Sequence, residues 1–241
     1  MTFASTLSPQ SDSVNTPQNL PSTVPLTTAQ RLLWLGQKLA PAAPLYNMAF
    51  LFTLSGEIDE GAFQAAFQAL VQRCDALRLV IEEIDGVPYQ RAISPSDSLD
   101  RLNCAVAVLD FSDRPHPAAA AREWASARSQ LHFTLSEQLF DTALIRLGPS
   151  SFVWYLNQHH LITDIEALRL VFERMGDLYQ RAVRGITEGG LANAPTFPAY
   201  LKAAEEAAEE AAEALDAEAP VISTRAAKHW QQQVDRVEQP V

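Results

Sequence analysis

The chain has 241 residues, 47% of them apolar and 20% charged, with a mean hydropathy of −0.07, the make-up of one large folded domain or two small ones rather than a fibre or a membrane span. Eighteen Lys and Arg stand against 29 Asp and Glu, a formal charge of −11, so nucleic acid and anionic membrane surfaces are poor partners. Cys74 and Cys104 lie in separate segments without C-x-x-C spacing, so no disulfide framework or zinc site is signalled and reduced thiols in the cytoplasm are expected.

Residues 1–25 are rich in Ser, Thr, Pro, Asn and Gln and lack the basic-then-apolar order of an export signal. They hold too little apolar surface to offset ordering entropy, so a disordered leader is expected, with structure beginning near Leu26. Thr27 or Thr28 can cap a helix through Trp34 towards Leu39, which Pro41 and Pro44 end. Met48 to Leu54 is a compact apolar run closed by Gly56 and reads as a strand. Asp59 then caps a helix whose Phe63, Phe67, Leu70 and Val71 recur at three and four residues. The segments Leu77 to Ile84 and Val87 to Ile93 flank Asp85-Gly86, a two-residue turn that makes them a hairpin. Val106 to Leu109 reads as a short strand and Ala118 to Leu131 as a helix. Phe140 to Leu147 and Ser151 to Gln158 flank Gly148-Pro149 as a second antiparallel pair. From Asp164, Ile165, Leu168, Val171, Phe172, Met175, Leu178 and Tyr179 hold a helical period until Gly185. After a polar loop, Phe197 to Leu215 reads as an Ala/Glu helix; Lys202 to Glu218 carries seven acids against one Lys. A last helix is expected around Arg225 to Val237. The pattern specifies an α/β fold, a two-layer sandwich of a mixed, largely antiparallel sheet packed by helices.

Chemistry concentrates at Asn157-Gln158-His159-His160-Leu161-Ile162-Thr163-Asp164, where a buried strand gives way to a helix. Side chains alternate along a strand, so His159 and His160 point in opposite directions and one at most faces a given cavity. A histidine can exchange a proton near neutrality, and Asp164 can cap the helix and orient the loop; a satisfied structural role is the competing reading. Only His160 and Asp164 could share a face, which is too few ligands for a metal site. No G-x-S-x-G elbow and no G-x-x-x-x-G-K-[ST] loop is present. Arg73 and Arg78 flank Cys74-Asp75-Ala76-Leu77 and read as surface or helix-end charges.

Three segments, in order, resemble the N-terminal half of a nonribosomal peptide synthetase condensation domain. Thr27-Thr28-Ala29-Gln30-Arg31-Leu32-Leu33-Trp34 resembles S-x-A-Q-x-R-[LM]-W, and Arg73-Cys74-Asp75-Ala76-Leu77-Arg78 resembles R-H-E-x-L-R. His159-His160-Leu161-Ile162-Thr163-Asp164 resembles H-H-x-x-x-D-G, with Ile165 in the place of Gly. The resemblance implies a chloramphenicol acetyltransferase-like half-domain, 26–241, whose second lobe is absent. It implies amide formation between carrier-protein-bound thioester and amine once a C-terminal lobe completes the tunnel. His160 is then the catalytic imidazole, and His159 and Asp164 shape its loop. No cofactor is bound directly; the phosphopantetheine arms belong to donor and acceptor carrier proteins. Ile165 narrows the site or re-aims His160. An uncovered lobe implies self-association or a bound partner. The alternative is a non-catalytic module that docks carrier proteins or a neighbouring subunit.

Overall fold

The structure, a computed structural model, describes residues 23–186 and, further on, Ala199, Lys202, Ala203 and Glu206 within helix. By its contacts the chain divides into two units, 1–191 and 192–241; in the second, Lys202 and Glu206 form an ion pair at 3.7 Å. The body of the expected leader, the rest of the Ala/Glu helix and the expected final helix lie outside the described residues.

The first unit opens with β1 (Val24–Pro25) and α1 (Thr28–Leu39). The two residues of β1 pair with a later strand, so the expected boundary near Leu26 moves back by two. Thr27 caps α1 through a complete capping box: its hydroxyl accepts from Gln30 N–H and the Gln30 side chain accepts from Thr27 N–H. Then follow β2 (Asn47–Ser55), α2 (Glu60–Arg73) and a 3₁₀ turn over Asp75–Arg78. Asp59 caps α2 as expected, and Phe63, Phe67, Leu70 and Val71 are all buried. The hairpin β3 (Leu79–Ile84) and β4 (Val87–Ala92) turns at Asp85 and Gly86, both with positive φ, the geometry that a two-residue turn requires.

A short α3 (Ser98–Arg101) precedes β5 (Ala107–Asp110) and α4 (Pro117–Arg128). The long antiparallel pair β6 (Phe140–Gly148) and β7 (Ser151–His159) leads into α5 (Ile165–Val183), capped by Asp164.

Among the described residues the strands make two sheets, one ordered β1-β4-β3 and one ordered β2-β7-β6-β5, and only β5 with β6 is parallel. The α/β class and the mixed, largely antiparallel sheet agree with the sequence reading. Helices pack on both faces of the larger sheet. On one face Trp154 of β7 packs with Phe63 and Phe67 of α2, Phe172 of α5 and Phe52 of β2. On the other, Tyr155 meets Trp124 of α4, and Val153 and Ile145 pack with Ala121. The reason is legible in β7 itself: Phe152 to Leu156 is apolar without alternation, as a strand covered on both sides must be.

Among the described residues no helix is long and apolar enough to cross a membrane.

Candidate active site

The histidine segment lies where β7 leaves the sheet. His159 N–H donates to Leu139 O at 2.9 Å, the last tie to the neighbouring segment, and His160 N–H donates to Tyr46 O at 2.8 Å. The chain then turns, with Ile162 N–H on His159 O, and Asp164 starts α5 by accepting Ala167 N–H at 2.7 Å.

The two rings part as strand alternation requires. His159 is buried, beside Tyr46 and Phe133, whereas His160 is only half-buried. Their partners fix opposite tautomers. His159 Nδ1 accepts Leu161 N–H at 3.1 Å, so its proton sits on Nε2, which donates to Gln37 Oε1 at 3.3 Å. His160 Nδ1 faces the carbonyl of Thr163 at 2.7 Å; a carbonyl can only accept, so Nδ1 carries the proton and the lone pair of the neutral ring lies on Nε2. Burial, and then the neighbouring His160 and His132, push the pKa of His159 down to about 4, so near neutrality it is an uncharged strut. Asp164 is exposed and acts as a helix cap.

Ile165, at the first position of α5, is 65% exposed. Among the described residues no group of three or more His, Cys, Asp or Glu is placed to hold a metal ion.

Arg78 also corrects the sequence reading. Its side chain is buried, donates to Val71 O at 3.0 Å and to Ile93 O, and pairs with Asp75. It locks α2 to the hairpin, because a buried guanidinium needs its donors filled. Arg73 is exposed at the end of α2, as expected.

Sequence reasoning missed the residues that frame the loop: Gln30, Gln37, Tyr46 and Thr163. Gln30 and Gln37 stand seven apart on α1 and are both buried, and a pair of amides on the inner face of an amphipathic helix was the available signal. Gly36 lets Tyr46 in, since a Cβ there would fall 2.0 Å from the Tyr46 hydroxyl. Two cavities lie nearby. One of about 330 Å³ is lined by Trp34, Gln37, Ile81, Phe133 and Leu135, and one of about 420 Å³ by Val80, Ile93, Leu102 and Phe133; neither is lined by His160.

A Condensation domain family model matches residues 21–240. The chain is 31% identical over 176 residues to an isonitrile lipopeptide synthase of Streptomyces coeruleorubidus, covering 72% of this chain and 12% of that protein. It is 30% identical over 164 residues to a dimodular nonribosomal peptide synthase of Bacillus subtilis (strain 168), covering 67% of this chain and 7% of that one. Among solved structures, the starter condensation domain of rhizomide synthetase RzmA superposes with a TM-score of 0.69 at 28% identity, over 77% of this chain and 44% of that chain. The first condensation domain of the calcium-dependent antibiotic synthetase shares the fold, with a TM-score of 0.72 at 24% identity over 79% and 44% of the two chains. The chain thus spans a small part of the curated synthetases it matches and under half of the condensation-domain structures.

Proposed function

The chain belongs to the condensation-domain family of nonribosomal peptide synthetases, and on that premise we propose that it is the N-terminal lobe of an amide-forming acyltransferase. A C-terminal lobe, in the same chain or supplied separately, completes it. Its substrates are a donor thioester and an acceptor amine, each delivered on the phosphopantetheine arm of a carrier protein in the cytoplasm.

The observation that carries this reading is the tautomer of His160. With its Nδ1 proton held by Thr163 O, the half-buried ring keeps its lone pair on Nε2. Nε2 can accept the proton that the amine loses as its nitrogen attacks the thioester carbon; the C–N bond forms, the C–S bond breaks, and the imidazolium returns that proton to the departing sulfur, which leaves as the thiol. His159 and Asp164 support the loop without touching substrate. Bringing two tethered reactants together in a tunnel closed by the second lobe supplies the entropic part of the rate, about 7 kcal/mol at the low end of intramolecular cases.

The test is reconstitution. The chain, mixed with a matching C-terminal lobe and loaded carriers, should form amide, and His160→Ala should lower the rate by about 10²-fold or more. No amide, where an intact homologous domain forms it under the same conditions, would refute the reading.

A docking module is the second reading, favoured by the outer side of α1. Leu32, Leu35 and Leu39 form a ridge there, 68%, 50% and 80% exposed. Such a ridge is suited to self-association or to a partner surface. Unchanged biological output from His160→Ala would favour this reading over the enzymatic one.

A further inference from the structure

The loop around His160 is tied to α1 at two points, one on each side of that residue. On the near side, Gln37 Oε1 accepts the Nε2 proton of His159, and the Gln37 amide nitrogen is held by the carbonyls of Ala40 and Ala43 at 3.1 and 3.0 Å. On the far side, Gln30 Nε2 donates to Leu161 O at 3.0 Å.

Gln30 is itself anchored in full. It makes a reciprocal amide pair with Gln90 of β4, at 2.8 and 2.9 Å, and its oxygen also takes the Thr27 N–H at 3.0 Å. Gln90 in turn donates to Pro25 O at 3.0 Å. All four hydrogen-bonding positions of the Gln30 amide are therefore used, in a buried setting where each unmade bond would be costly. The pair also joins the two sheets, because Gln90 belongs to the smaller sheet and Leu161 follows the last strand of the larger one.

We propose that Gln30 and Gln37, seven residues apart on the inner face of α1, are positioning residues that clamp the chain on both sides of His160, at His159 and Leu161, and so hold His160 with its Nδ1 proton on Thr163 O and its Nε2 free. A histidine ring in water prefers the proton on Nε2, so the opposite tautomer has to be imposed by a carbonyl kept in place. Thr163 O is kept in place only if the backbone on either side is. In this view α1 supplies no reacting group, and sets the aim of one from behind. The importance of that aim rests on the reading of His160 as the proton acceptor; the clamp itself does not.

The experiment reads the ring directly. In the 241-residue chain carrying ¹⁵N-histidine, His160, assigned through His160→Gln, should show a protonated Nδ1 and an unprotonated Nε2 above pH 7. Gln30→Met removes the donor to Leu161 O at similar volume, and Gln37→Met removes the acceptor of His159. Each should move the His160 nitrogens towards the averaged shifts of a ring exchanging tautomers. The indole resonance of Trp154, packed against α2 and α5, should stay in place as the mark of an intact fold. Gln30→Glu and Gln37→Leu repeat the measurement should a methionine variant not fold. A His160 spectrum unchanged in folded variants at both positions would overturn the clamp.

In reconstituted amide formation the folded variants should lose about tenfold or more in kcat with KM within about twofold. Full activity in a variant whose tautomer has changed would overturn the positioning role. A changed tautomer in the variants, alongside a wild-type chain that makes no amide, would support the clamp and refute the proposed reaction.

Discussion

The inner and outer sides of the loop that follows β7 are built on opposite terms. Inside, His159 has both ring nitrogens engaged, is shut away from solvent and stays neutral well below the usual histidine range. Outside, His160 has one nitrogen engaged and the other left over. Two adjacent residues of one type thus differ in use, the first fixing the backbone with both ring nitrogens and the second engaging only Nδ1. The difference between them comes from burial and from which backbone group meets Nδ1: an N–H for His159, a C=O for His160.

The most damaging way to break this contrast is to empty the inner position. His159→Leu strands Gln37 Oε1 and Leu161 N–H without partners in the interior, and equilibrium urea unfolding should show a loss of about 3 kcal/mol or more. His160→Ala, by contrast, should change stability by under about 1 kcal/mol, since its ring is half-exposed. Equal losses for the two would erase the distinction.

Acid sharpens the same comparison. The folded-state pKa of His159 lies near 4, below the ordinary 6.5. Protons therefore bind the unfolded chain more readily, and the stability that His159 contributes is complete above pH 6.5. It should fall away as the pH drops from 6.5 towards 4, by about 3 kcal/mol in total. Urea midpoints measured across that window should follow this slope, and His159→Gln should flatten it. A wild-type chain indifferent to pH between 6.5 and 4 would contradict the buried neutral ring.

Smaller effects probe the surroundings. Gly36→Ala drives a methyl group into the Tyr46 hydroxyl. It should cost about 1–3 kcal/mol by overpacking and loosen the Tyr46 carbonyl that holds His160 N–H. Thermal unfolding and the amide exchange rate of His160 check this together. Least of all, Ile165→Gly should alter stability by no more than about 1 kcal/mol and leave reconstituted activity unchanged, because the side chain is 65% exposed. A large gain in rate would show that Ile165 obstructs the site after all.

Much of this architecture was written plainly in the residues. Thr27, Asp59 and Asp164 announced three helix starts by cap chemistry, and Asp85-Gly86 announced the hairpin by the backbone angles that pair tolerates. The apolar stripe of α2 declared its buried face. Alternation along β7 by itself separates His159 from His160. Local rules suffice in these places because each depends on neighbours a few residues away.

Other features depended on partners far along the chain. Arg78 was read as a surface charge because nothing adjacent reveals that Val71 O and Ile93 O close around it. β1 was assigned to the leader because two residues carry no strand signal until β4 is there to pair with them. Ile165 belonged to the apolar series of α5 yet points outward, as helical periodicity fixes the spacing of a stripe better than its edges.

From the sequence alone came the order of the main elements, the face that α2 buries and the place where histidine chemistry is concentrated, for these follow from local periodicity and capping. Only the tertiary structure decided the tautomers of the two histidines and the part played by the α1 glutamines. The tautomers follow from bonds only two and three residues long, whose geometry the folded loop sets; the part of the glutamines turns on groups 60 to 131 residues apart, such as Gln30 with Gln90 and Gln30 with Leu161, and no local pattern encodes a bond whose two ends meet only when the sheets are assembled.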